Sequence, residues 1–272
     1  MNQVNVDSNT VSKSDKIALR PSYWASVSGG KDSLYMLNYI LHNLDRYPLD
    51  GVVHFELEID YPFIHDVIDY METECKRAGI KFVRIKPRKT WEELYAKYGF
   101  PTRTVRWCNE HYKLDAKRQL SEWLNTAGYY VIHYIGYCAD EERRFNKRLS
   151  AKKIEIYPLA ENGINEDAIL EWAKTQPIFN NYYKINRRCG CMYCPMSSFL
   201  NFAYLYKYYP VNFRYMLEKM RETEKIIECK IGRPFSVISS NPKYNSVYME
   251  HIIKTKWVKK LNEKEDSYGK NH

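Results

Sequence analysis

Apolar positions along the chain fall into two alternating rhythms. Short runs rich in β-branched and aromatic residues, at Tyr23–Ser28, Val52–Leu57, Phe82–Ile85 and Tyr130–Gly136, predict strands. Between or after them, apolar residues return every three or four positions at Ser33–His42, Ile64–Ala78, Trp91–Lys97 and Leu114–Ala127, the period of helices with one buried face. Strand and helix taking turns predicts an α/β fold built as a three-layer, mostly parallel sheet. From Glu166 onward the rhythm becomes helical. "NEDAILEWAKTQPIF" reads as a helix stopped by Pro177, and a Tyr-rich helical run extends from Ser197 to Ile227. The expected organisation is a disordered polar N-terminus over 1–16, an α/β domain over 17–157, a C-terminal helical lobe over 158–260 and a disordered polar tail over 261–272.

Composition narrows the classes. No stretch approaches the roughly 18 continuous apolar residues of a membrane-spanning helix, and "MNQVNVDSNTVSKSDK" lacks the apolar core of a signal peptide. A cytoplasmic protein with no membrane partner is expected. The formal net charge of +9 suits a polyanionic partner, whether nucleotide, tRNA or DNA, and equally an ordinary lysine-rich surface. Seven cysteines without an export signal argue against a disulfide framework, and their clustering in "RRCGCMYCP" points to metal or redox chemistry.

The strand ending in Ser28 runs into Gly29-Gly30 and then a helix, in "YWASVSGGKDSLYMLNYIL". Such a turn aims backbone N–H groups at a helix N-terminus, where the macrodipole also favours an anion. Asp32 and the hydroxyls of Ser26, Ser28 and Ser33 can add hydrogen bonds or cap the helix, and Lys31 can supply charge if it turns inward. A nucleoside phosphate is the natural ligand. The Walker pattern fails, because Ala25 and Asp32 stand where it needs Gly and Ser or Thr. The dinucleotide fingerprint fails because the glycines are adjacent and no third follows.

"SVSGGKDS" resembles the PP-loop of the adenine-nucleotide α-hydrolase-like enzymes, and later segments resemble the phosphoadenosine-phosphosulfate (PAPS) reductase branch of that superfamily. "FELEIDYPFIHDVIDYM" is similar to its second strand and helix, with Asp60 at the acidic position. "VRWCNEHYK" is similar to its Arg-x-Cys…Lys segment, "GYCADEERR" to its Gly-Ile-Arg-x-x-Glu-Ser-x-x-Arg element, and "NRRCGCMYCP" to its Arg-x-Gly-Cys-x-x-Cys-Pro element. The resemblance implies a Rossmann-like PP-loop fold over about Tyr23–Pro195. It also implies that Ser26, Ser28, Gly29, Gly30, Lys31, Asp32 and Ser33 bind the phosphates of ATP or an adenylyl-sulfate, with Asp60, Arg106, Lys113 and Arg144 as further contacts. Cys138 and Glu142 depart from the element, standing where the family has Arg and Ser. Glu228-Cys229 matches only the start of the Glu-Cys-Gly-x-His stretch of sulfonucleotide reductases.

Cys191 and Cys194 have the C-x-x-C spacing that lets two thiolates reach one metal, and Cys189 lies two residues before them. The resemblance brings Cys108 to the same face. Three groups are open: a [4Fe-4S] cluster on Cys108, Cys189, Cys191 and Cys194; zinc on a Cys3His set that includes His111; or a metal-free dithiol. Cys75 reads as a small buried hydrophobe. The expected function is Mg2+- and ATP-dependent adenylation followed by sulfur transfer to tRNA or DNA, with Asp32, Cys108 and Cys194 as catalytic candidates and a protein that supplies sulfur or reducing equivalents. The rivals are a PAPS or adenylyl-sulfate (APS) reductase releasing sulfite and a non-catalytic nucleotide- and zinc-binding protein. The oligomeric state is left open, a homodimer included.

Overall fold

The computed structural model describes residues 19–146 and 155–270, so the expectation for residues 1–16 lies outside the described residues. The first part of the chain comprises β1 (Arg20–Val27), α1 (Lys31–Leu41), β2 (Gly51–Phe55), α2 (Pro62–Arg77), β3 (Phe82–Ile85), α3 (Trp91–Tyr98), α4 (Leu114–Thr126) and β4 (Tyr129–Tyr134). It continues with α5 (Glu142–Asn146), β5 (Glu155–Ile156), α6 (Pro158–Glu161), α7 (Glu166–Lys174), α8 (Tyr182–Ile185), α9 (Phe199–Tyr208), α10 (Pro210–Ile231), α11 (Ser246–Ile252) and α12 (Val258–Lys270).

The strands form one sheet in the order β3-β2-β1-β4-β5, and every pairing is parallel. Alternation along β1 sends Trp24 to one face, where it packs with Val53, Leu120 and Leu124 beneath α4. Ala25 and Val27 go to the other face and join a larger core that also takes in Phe202, Phe213 and Leu261. Helices beyond β5 therefore share the core of the α/β part. Because the chain leaves β1 toward β2 and later returns to β4 on β1's other side, the crevice between the carboxyl ends of β1 and β4 is the topological switch point where α/β folds bind ligands.

Three local differences from the sequence pattern have simple causes. β5 spans two residues, too few to show a period. The Tyr-rich run breaks into α9 and α10 because Pro210, which lacks an N–H, starts a new helix rather than continuing the old one. Residues expected in a disordered tail form α12, which packs on α8 and α9 and buries Leu261 completely. The polar sequence hid a helix held by one apolar contact face.

Candidate functional site

Gly29 sits in the left-handed region at φ +73°, and a Cβ there would lie 2.6 Å from Ile64 Cγ2, so only glycine fits. Ser33 closes the turn. Its hydroxyl donates to Gly30 O at 2.9 Å and accepts from Ser28 N at 3.2 Å, while Gly30 N donates to Ser28 Oγ at 3.4 Å. From β4, Gly136 comes so close that a Cβ would lie 3.0 Å from Asp32 O. The "GYCADEERR" segment thus presses against the first turn of α1, as the switch-point topology requires.

Lys31 does turn inward, but to carboxylates. Its buried ammonium donates to Asp32 Oδ1 at 2.6 Å and to Glu166 Oε1 at 3.1 Å. Glu166 opens α7, and Glu141 stands nearby with Arg188 at 3.0 Å and Arg144 at 2.5 Å. Burial raises the Asp32 carboxyl above its ordinary range, opposed by Lys31. The Cys138 thiol, in the place of the family's arginine, contacts Asp32 Oδ1 at 3.7 Å. Ser26 leans away, bonded to His133 Nδ1 on β4 at 2.9 Å. Tyr183, from α8, is a participant that its sequence does not announce. Lys31 N, one of the free amides at the start of α1, donates to the Tyr183 hydroxyl at 3.1 Å. Tyr183 is also buried.

The cysteine loop is tied to the same edge of the sheet by Met192 N, which donates to Ile59 O at 2.8 Å. The Cys191 thiol hydrogen-bonds to Cys194, which lowers the Cys194 thiol to about 6 and raises that of Cys191. Cys108, at the start of a π-helical turn over Cys108–Lys113, lies within electrostatic reach of Cys194, and burial raises its thiol. Lys113 faces this group. Cys191 above all, then Asp60, Cys194 and Cys108, push its ammonium upward. Asp60, held out of water, is raised to about 6. Of the expected anion contacts, Lys31 and Arg144 are paired with carboxylates, Lys113 lies within electrostatic reach of Asp60 and the thiols, and Arg106 within reach of Cys108 and Cys194.

Cys189 and Cys191 both act on Tyr61 and Tyr182. Cys189 is within reach of Asp60 and Lys113 and of tyrosines including Tyr61 and Tyr182, and burial raises its thiol. His111 stacks on Tyr98 at 5.1 Å rather than completing a Cys3His set. Among the described residues no three His, Cys, Asp or Glu side chains are arranged to hold a metal ion as they stand. Cys108, Cys191 and Cys194 are soft donors of the kind an iron–sulfur cluster takes, but they would have to close on it. Cys229 is exposed on α10, outside this group.

The family model for the phosphoadenosine phosphosulfate reductase domain matches residues 22–197. Two proteins of Methanocaldococcus jannaschii, both uncharacterized, are similar. MJ0973 is 28% identical over 72% of this chain and 47% of its own length, and MJ0066 is 29% identical over 62% and 35%. The chain thus spans half or less of the curated relatives it matches. Among solved structures, the U34-tRNA thiolase NcsA from Methanococcus maripaludis with its [4Fe-4S] cluster overlaps 88% of this chain and 74% of its own. At 15% identity and a TM-score of 0.41 that likeness is too distant to carry function.

Proposed function

The chain belongs to the phosphoadenosine phosphosulfate reductase domain family, and from that premise we propose that it is an ATP-using sulfur-transfer enzyme whose acceptor is a nucleic acid. One observation carries the reading. A phosphate cradle at the β1–β4 switch point and a cysteine pair with one thiol lowered toward thiolate share one edge of the sheet, joined through Tyr183 and Ile59.

The turn at Ser28–Ser33 binds the phosphates through its amides and hydroxyls. Asp32 is the carboxylate that would hold Mg2+, which would supply positive charge against the leaving pyrophosphate. An acceptor carbonyl oxygen attacks the α-phosphorus of ATP and the bond to pyrophosphate breaks, leaving an adenylated carbon. The Cys194 thiolate, lowered by its neighbour and by Lys113 and Arg106, attacks the sulfane sulfur of an external persulfide or polysulfide donor, and the donor's S–S bond breaks to release its thiolate and leave a Cys194 persulfide. The terminal sulfur attacks the adenylated carbon and AMP leaves. Cys191 then attacks the Cys194 sulfur, which releases the thiolated product and leaves a Cys191–Cys194 disulfide for an external thiol reductant to reopen. Cys108 and Lys113 border the transfer site.

The test loads the protein anaerobically with inorganic polysulfide, removes the excess, and then adds ATP, Mg2+ and bulk tRNA or DNA for a single turnover. AMP, pyrophosphate and thiolated nucleosides are quantified. Expected are AMP and thionucleoside in equal amounts, loss of thionucleoside in Cys194→Ala and Cys191→Ala, and retention in Cys189→Ala. Sulfite from PAPS or APS without pyrophosphate release from ATP would replace this reading with a reductase. Tight nucleotide binding with no turnover would replace it with a binding protein.

A further inference from the structure

A cavity of about 880 Å3 opens between the loop after α3 and the loop after α10, outside the nucleotide cradle. Both walls are anchored on α10. On one side Phe100 N donates to Thr223 Oγ1 at 2.7 Å, and residues 102–105 form a turn in which Thr102 N donates to Val105 O at 3.0 Å and Val105 N to Thr102 Oγ1 at 2.9 Å. On the other side buried Glu224 accepts from Val237 N at 3.2 Å and from Ser246 N at 3.1 Å, and Glu228 accepts from Phe235 N at 2.9 Å. The carboxylates of this region are consumed in building the loop.

What faces the cavity has the opposite character. Arg103, Arg233 and Lys243 line it together with hydroxyls such as those of Thr104, Ser239 and Ser240, and no acidic residue among the described residues lines it. Among the described residues none of the three cations makes an ion pair, whereas Lys31, Arg84, Arg88 and Arg188 all do. From Thr104 the chain reaches Cys108 in four residues, a span of at most about 14 Å. It passes exposed Arg106 on the way. Beside that path the Tyr98 ring, 38% exposed, lies parallel to His111 at an interplanar angle of 9°. Flat aromatic faces next to unpaired cations suit bases and phosphates of a single strand.

We propose that this cavity binds the phosphodiester backbone of a single-stranded nucleic-acid segment and leads it past Arg106 and the Tyr98–His111 face toward Cys108. This rests on the nucleic-acid acceptor reading above. The cavity is several times the size of a phosphate ion, and its cations lie on both walls, an arrangement for a chain of charges rather than for one.

The test is fluorescence anisotropy of a labelled single-stranded RNA of about 12 nucleotides with the full chain, over about 50 to 200 mM salt. The triple variant Arg103→Gln, Arg233→Gln, Lys243→Gln is expected to bind at least about tenfold more weakly at the low-salt end. The slope of log K against log salt should shrink by about 2, from about 0.7 per lost phosphate contact. A control triple, Lys76→Gln, Lys256→Gln, Lys259→Gln, removes equal charge elsewhere and should change affinity less than about twofold. Wild-type affinity and slope in the cavity triple would overturn the assignment, as would equal competition by polyglutamate and unlabelled RNA. ATP binding and melting temperature measured on the same variants separate the two readings. RNA binding that depends on the cavity, with no ATP turnover in the wild type, would remove the sulfur-transfer function and leave the nucleic-acid site standing.

Discussion

Asp60 shows how a single residue carries information from the sequence only in part. Its place in the family order marked it as an anion-side acid, but its neighbours are Lys113 and the thiols. Desolvation raises its carboxyl from 3.8 to about 6, so between those values the folded state holds a proton that the unfolded chain releases. Its contribution to stability is therefore present below about pH 4 and lost as pH rises to about 6, up to about 3 kcal/mol in all. Urea unfolding measured across that range should show stability falling with pH from this group. Asp60→Asn should flatten that part of the curve, and an unchanged slope would mean that Asp60 titrates normally.

At the scale of elements, the decisive joint is the turn between β1 and α1. Its conformation needs φ > 0 at Gly29, and α2 closes the space above it through Ile64. Gly29→Ala should destabilise the fold by about 1–3 kcal/mol and weaken ATP binding more than tenfold, from left-handed strain and the clash with Ile64. Chemical denaturation and nucleotide titration read the two effects separately. If binding survives while stability falls, the turn does not hold the phosphates. This element was legible because two adjacent glycines between an apolar run and an amphipathic run have few structural uses. The π-helical turn at Cys108–Lys113 was not, since no period distinguishes a six-residue insertion of one extra residue per turn.

For the whole molecule, the C-terminal helix is the part most unlike its sequence. α12 buries Leu261 against α8 and α9, and Lys264 Nζ donates to Ile185 O at 3.3 Å. Since α8 also presents Tyr183 to the start of α1, the last helix braces the glycine turn through α8. Leu261→Ala should cost about 2–5 kcal/mol by leaving a cavity. Thermal melting would detect it, and a melting temperature within about 1 °C of wild type would mean that α12 is not docked in solution. No helix of the described residues is long and apolar enough to cross a membrane.

The sequence by itself determined the alternation of strand and helix, the parallel sheet it implies, the glycine turn and the spacing of the cysteines. Each of these is written in nearest neighbours or in a short period, and local sterics act on them directly. Tertiary structure decided which groups face one another. Lys31 reaches Glu166 rather than open solvent, Cys191 and Cys194 pair, His111 lies on Tyr98, and Arg103, Arg233 and Lys243 line one cavity. Spacing limits how far a side chain can reach, but its direction follows from packing against residues a hundred positions away, where no local rule applies.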